Sequence, residues 1–261
     1  MAGGTVAALK GPGFSWSSVW NPADHWDDIV GWWDASEADT FVLTPDTTLV
    51  ETWYDMKDVR PLTSPATPRP ARNATIGTLP AVAFNSNPAN RLEFDGGSDN
   101  IDVSTYTFFA VVRLGAVAEF DRIMGMRRSA TGAGDAASPN VILGYRDADT
   151  DSTWPMVSRP ASTKSTAATG SASAFVFHAR YDGTNVISGV NGVETAPVVA
   201  TAPASMRYIR MGSLLASVGN PPNASATGNL NGDIGEVVLI NTAIDPAHPV
   251  NSYFKPKWGI T

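Results

Sequence analysis

Apolar residues in this chain recur in short runs with almost no helical period, and this pattern limits the fold more than any other feature. The runs are Asp28–Trp33, Thr48–Tyr54, Ala81–Phe84, Arg91–Phe94, Thr105–Leu114, Arg122–Met126, Asn140–Tyr145, Phe175–Tyr181, Val186–Val190, Met206–Met211 and Leu230–Ile240. They are rich in Val, Ile, Phe, Tyr and Trp, and turn residues separate them, which predicts strands. Many short strands with no helical stretches between them build sandwiches or jelly rolls rather than parallel βαβ units. Thr105–Arg113 is apolar over much of its length, as a central strand covered on both faces would be. From Ala247 to Trp258 the tail can form a helix, which Pro249 and Pro256 should keep short. Arg60–Arg72, with four prolines, reads as a loop, as do Ala161–Ala174 and Ser213–Gly228.

With 261 residues the chain is one large β domain or two small ones, and it contains no internal repeat. A globule of that size buries roughly three quarters of its unfolded surface and needs no covalent staples. Cysteine is absent, so disulfides and thiolate metal sites are excluded. Twenty-five acidic against 18 basic residues give a net charge of -7, which argues against a nucleic-acid partner. No apolar run approaches a membrane span. The N-terminal residues lack the apolar core of a secretion signal, so the chain is expected to be made in a cytoplasm and released by another route.

Residues 1–26 read as an extended arm and residues 27–261 as the folded domain. The arm mixes Gly, Pro and Ser with Phe14, Trp16, Trp20 and Trp26. Four exposed aromatics on a free chain would be an aggregation liability, so the arm is expected either to fold back on its own sandwich or, the preferred reading, to dock on a neighbouring copy or an anchoring protein.

In Asn231–Ile240 two carboxylates, Asp233 and Glu236, interrupt an apolar strand. Paired carboxylates cleave glycosidic bonds when they converge from one side, roughly 5 to 10 Å apart. Strict alternation would send residues three apart to opposite faces and place Glu236 on the core face with Ile234, Val238 and Ile240. Glu236 is therefore expected to be a hydrogen-bonded framework residue, and no catalytic residue is assigned.

Gly232–Asp245 together with Tyr253–Gly259 resembles the end of a laminin-G-like (concanavalin A-like lectin/glucanase) jelly roll. In that family a strand of the form G-x-I-x-E followed by apolar residues leads to a short helix closing on Lys-Trp-Gly. Gly31–Ser36 is similar to the family's W-x-D-A-S, and Thr52–Asp55 to its W-x-D, although Met56–Asp58 replaces the usual Ser-Gly. Leu79–Phe84 resembles x-P-A-V-x-F, and Tyr181–Thr184 with Val190–Gly192 resembles the hairpin Y-D-G-T…V-N-G. The resemblance covers about residues 29 to 260. It implies an all-β, antiparallel jelly-roll sandwich with a short C-terminal helix, and it places Trp33, Trp53 and Trp258 in the framework. Glucanase members carry acids two apart on one strand; Glu119-Phe120-Asp121 begins that way but lacks the second glutamate, so catalysis does not carry over.

Asp147, Asp149 and Asp151 alternate in a loop and form the best candidate for Ca²⁺, although Ser152 and Ser158 stand where an EF-hand loop wants Gly and Glu. No other cofactor is implied. Tyr145 and Trp154 flank that loop and could stack on a sugar ring. The three histidines have no ligand spacing, and no nucleotide-binding or nucleophile-elbow motif occurs. The fold hosts lectins, adhesion modules, enzymes and structural proteins. The expected role is a bacteriophage virion surface component (decoration, spike, fibre or tail protein). Its partners would be other virion proteins, copies of itself and host-surface polysaccharide. A cellular carbohydrate-binding or adhesion module is the alternative, and a glycan hydrolase or lyase ranks third.

Overall fold

The structure is a computed structural model. It describes residues 19–45, 47–65, 67–85, 87, 89–96, 101–115, 123–127, 140–143, 154–159, 163–167, 173–200, 205–213 and 229–261. In chain order the strands begin with β1 (Ile29–Asp34), β2 (Phe41–Leu43), β3 (Val50–Trp53), β4 (Leu62–Thr63), β5 (Ala71–Ile76) and β6 (Leu79–Asn85). There follow β7 (Leu92–Asp95), β8 (Tyr106–Leu114), β9 (Met124–Arg127), β10 (Asn140–Leu143), β11 (Trp154–Arg159) and β12 (Thr163–Ala167). The last are β13 (Phe175–Tyr181), β14 (Asn185–Val190), β15 (Val193–Glu194), β16 (Val198–Val199), β17 (Tyr208–Met211) and β18 (Asn231–Ile240).

Two antiparallel sheets make the sandwich. The first runs β15-β14-β13-β8-β18-β6-β5, with β1 also paired to β18 and β16 to β14. The second runs β12-β11-β10-β9-β17-β7-β4-β3-β2. β8 shows how sequence becomes layer. Its Phe108, Ala110 and Val112 enter the core between the sheets, while Phe109 and Val111 enter a second core on the opposite face. A strand buried on both sides has no polar face to show, which is why this one reads as a continuous apolar run.

The inter-sheet core joins Phe108, Phe177, Val237 and Leu239 of the first sheet to Trp53, Leu62, Met126 and Ile209 of the second. The outer core lies under the C-terminal helix, where Val250, Phe254 and Trp258 cover Phe109, Val111, Val176, Val238 and Ile240. This helix runs from Ala247–Pro249 through a π turn at Val250–Phe254 to Lys255–Trp258. It continues past both prolines: Pro249 belongs to the first turn, where a missing N–H costs little, and Pro256 follows directly on the π turn at Val250–Phe254. Gly259 ends it in the left-handed conformation at φ 65°.

Three expectations change. Thr163–Ala167, inside a stretch that reads as loop in sequence, is strand β12, at one end of the second sheet. Its Thr and Ser residues suit an edge, where pairing on one side suffices. Trp20, expected to dock on another subunit, is buried and packs in the outer core of its own chain. Its ring lies 5.7 Å from Phe109 and Tyr253 and 5.8 Å from Phe254, and its backbone N–H donates to Ser252 Oγ. The arm therefore folds back at this point, since the sheet's outer face offers an apolar bed between β8 and the helix. Trp26 is 42% exposed beneath the Lys57 ammonium; Phe14 and Trp16 lie outside the described residues.

The third change concerns β18. Its register against β8 shifts between Ile234 and Glu236, placing Asp233 opposite Arg113 and Glu236 opposite Val111. Arg113 and Val111 are two apart and share a face, so both carboxylates point to the outer side. Ile234 instead joins the inter-sheet core. The extra residue is Gly235, and a side chain there would collide with the Trp258 ring, its Cβ lying 2.7 Å from Cζ3.

Candidate functional site

The bulge removes the alternation argument against a carboxylate pair, because two residues along the facing strand span only about 7 Å. Burial decides the question instead. Glu236 is 0% exposed and saturated by four donors. Trp32 Nε1 (2.7 Å) and Tyr253 Oη (2.9 Å) donate to Oε1, and Lys257 Nζ (2.9 Å) and Trp258 Nε1 (2.8 Å) donate to Oε2. Four donors fill the four lone-pair sites of an ionised carboxylate, leaving none for a substrate. Lys257 also bridges to Asp34 Oδ2, while Asp34 Oδ1 accepts from the Ser36 N–H at 2.9 Å. Burial, then the Asp34 carboxylate, push the Glu236 carboxyl up, against the opposing pull of Lys257. Lys257 itself is held above the usual ammonium range, the Glu236 and Asp34 charges outweighing its own desolvation. Asp233 is engaged separately, accepting from Arg113 Nε (2.8 Å) and Nη2 (2.5 Å). Glu236 is a clasp that binds the C-terminal helix to β1 and β18.

The clasp also fixes one wall of a cleft. From Asp34 the chain passes through Ser36 into a 3-10 turn at Ala38–Thr40. The facing wall is the segment after β3, anchored by Tyr54 N–H to Thr40 O (2.7 Å) and Met56 N–H to Trp32 O (2.7 Å). Between them lies a cleft of about 620 Å³ lined by Glu37, Asp39, Thr40, Tyr54, Asp55, Met56 and Asp58. Asp55 organises its floor. Its Oδ1 accepts from the backbone N–H of Val59 (2.8 Å) and Arg60 (2.7 Å), curling the loop, with Asp58 at φ 55°. Its Oδ2 is buried and has no hydrogen-bond partner among the described residues, although Asp55 is only 2% exposed. A buried carboxylate oxygen without a donor is costly, which marks this atom as one shaped for something the chain does not itself supply. A second cleft, of about 500 Å³, lies against Lys57, Val59, Arg60, Ile29, Val30, Asp27, Ile101, Asp102 and Asn241. There Lys57 donates to Trp26 O and Ile29 O, and Arg60 to Val30 O.

Trp33, Trp53, Trp258 and Glu236 are not among the residues that line this cleft. Tyr145, Asp147, Asp149 and Asp151 lie outside the described residues, as does Glu119-Phe120-Asp121, and Trp154 opens β11. Trp33 is buried, its Nε1 donating to Arg60 O at 3.1 Å. Trp53 is buried and stacks on Phe41 with ring centres 5.1 Å apart. Trp258 is buried in the outer core. Among the described residues no group of three or more His, Asp or Glu side chains converges closely enough to hold a metal ion. The cleft acids give no signal in sequence: Thr52–Asp55 stands out for its tryptophan, and the spacing Asp55-x-x-Asp58 matches no known motif.

No protein-family model and no curated protein match the chain. Solved structures do share its fold. Trypanosoma rangeli sialidase in complex with sialic acid is 12% identical with a TM-score of 0.58, over 88% of this chain and 33% of that one. A mutant of the same sialidase displaying trans-sialidase activity is 13% identical with a TM-score of 0.54, over 90% and 34%. Domain 4 of a GH43 extracellular arabinanase from Geobacillus stearothermophilus, in complex with arabinotriose, is 12% identical with a TM-score of 0.52. That match covers 86% of this chain and 97% of the arabinanase domain. The chain thus spans about a third of the sialidases' length and nearly all of the arabinanase domain. These matches correct the expectation of a virion surface component. These three are sialidases and an arabinanase domain by name, and none of the three is named as a particle protein. Docking on virion proteins gains no support from these matches.

Proposed function

We propose that the chain is a carbohydrate-binding or adhesion module that holds a glycan without cleaving it, and that the cleft beside Asp55 is where it does so. The observation that carries this reading is the orphaned Oδ2 of Asp55 on the floor of a cleft. Around it stand hydroxyl and carboxylate acceptors together with the side chains of Tyr54 and Met56. Sugars present hydroxyl donors around an apolar ring face, and a cleft with acceptors beside an aromatic side chain answers both. The arabinotriose bound to the arabinanase domain, matched over nearly its whole length, agrees with a domain of this shape holding a glycan.

Affinity electrophoresis through gels containing neutral or acidic polysaccharides tests the reading. The chain should be retarded by at least one glycan, and Tyr54→Ala should remove the retardation. No release of reducing sugar above a heat-killed control is expected from the same glycans. Turnover lost in Asp55→Asn would replace binding by hydrolysis as the function of this cleft, and mobility unaffected by any glycan would refute the proposal.

A further inference from the structure

We infer that this cleft takes an uncharged sugar and excludes acidic ones, an inference that rests on the glycan-binding reading above. Among the described residues its lining supplies four carboxylates, from Glu37, Asp39, Asp55 and Asp58, and no basic side chain. Ionised carboxylates are acceptors only, so whatever seats between them must donate.

A metal ion is one donor-free way to satisfy such a set, but the described acids do not converge closely enough to hold one. Hydroxyl groups do not need that convergence. Each donates singly to whichever oxygen it meets, and bonds to a charged acceptor are roughly twice as strong as neutral ones. Arg72, Lys257 and Lys57 are not among the lining residues and are engaged elsewhere. Arg72 Nε donates to Ala35 O (3.0 Å), Lys257 bridges Asp34 and Glu236, and Lys57 caps Trp26 O and Ile29 O. A sugar acid would therefore bring a further negative charge among four without a counter-charge, the arrangement by which binding sites reject wrong partners. The deepest contact is Asp55. Its Oδ1 is spent on the loop, and Oδ2, buried and without a hydrogen-bond partner among the described residues, is the acceptor assigned to a sugar hydroxyl, which has to displace the lining that covers it.

A glycan array carrying neutral and acidic members, followed by calorimetry on the strongest neutral hit, tests the inference. Asp55→Asn is the informative substitution, since the retained Oδ1 still accepts from Val59 and Arg60 while an NH₂ replaces Oδ2. Neutral glycans should be the hits, and Asp55→Asn should weaken binding at least tenfold with an unchanged melting temperature. Asp39→Asn, on the exposed rim, should weaken it several-fold and provides a second variant free of folding effects. Acidic hits whose binding is lost in Asp55→Asn would overturn the charge selectivity while leaving a glycan site in place. An array with no hits, or hits indifferent to Asp55→Asn and Asp39→Asn, would overturn the site as well.

Discussion

Replacing Lys257 by methionine isolates the clasp. Methionine keeps most of the aliphatic stem and removes the ammonium, so packing changes little while Asp34 and Glu236 lose their shared cation. Both carboxylates are buried, so they are left facing each other with no water to spread their charge. Breaking a buried pair by deleting one partner costs about 3–5 kcal/mol. For a chain this size each kcal/mol moves the melting temperature by roughly 2–4 °C, so a fall of about 10 °C is expected. The loss should depend on pH in a definite direction. With Lys257 gone, burial and Asp34 still push the Glu236 carboxyl up, and only the weaker pull of the Trp258 hydrogen bond still opposes them. A raised folded-state carboxyl gives stability that is present below the unfolded value and lost as pH rises through the folded one. The variant should therefore lie closest to the parent below about pH 4 and fall progressively further from it as pH rises above the ordinary carboxyl value of 4.5. Adding Asp34→Asn should restore part of the loss, because the amide keeps an oxygen for Ser36 and offers its NH₂ to Glu236. Urea denaturation of the parent, both single variants and the double variant gives the coupling. A Lys257→Met loss under about 1 kcal/mol, or strict additivity in the cycle, would refute the clasp.

Trp20→Ala should destabilise the chain by about 3–5 kcal/mol through the outer core, measured by thermal unfolding; an unchanged transition would mean the arm does not belong to the domain. His178 is buried and neither ring nitrogen has a hydrogen-bond partner among the described residues; burial, then the Arg180 charge, bring it down to about 4, against the weaker pull of Asp245. Its folded value is below the unfolded one of 6.5, so its contribution is complete above pH 6.5 and is lost as pH falls towards 4, about 3 kcal/mol in all. His178→Leu should flatten the stability profile between pH 6.5 and 4, and a profile of unchanged slope would show that the imidazole is not kept neutral by its surroundings.

Much of the fold was legible because burial on two faces leaves a period-free apolar run, and β8 and most of β18 are such runs. β12 was not legible, since an edge strand can be built from Thr and Ser without an apolar signature. Trp20 is ambiguous in sequence for a related reason. A tryptophan preceded by Gly, Pro and Ser looks the same whether it covers its own sheet or another subunit's. Only the apolar bed left between β8 and the C-terminal helix distinguishes the two.

Glu236 shows how a single bulge undoes an argument from strand alternation. Alternation places it in the framework by sending Asp233 to the other face; the bulge at Gly235 returns both acids to one face. What keeps Glu236 from chemistry is a lid of two indoles, a phenol and an ammonium drawn from β1 and the C-terminal helix, residues 17 or more positions away in sequence. The cleft carries the opposite lesson. Asp55 shares a W-x-D segment with Trp53, and from sequence the aspartate looks like part of the same framework. Structurally it does frame the loop, with one oxygen. The other oxygen has no such duty, and a sequence pattern cannot divide a carboxylate into a half that folds the chain and a half left for a ligand. That division becomes visible only when every donor near the atom has been placed, which is why the acids of the 54–58 loop and not those of β18 carry the proposed site.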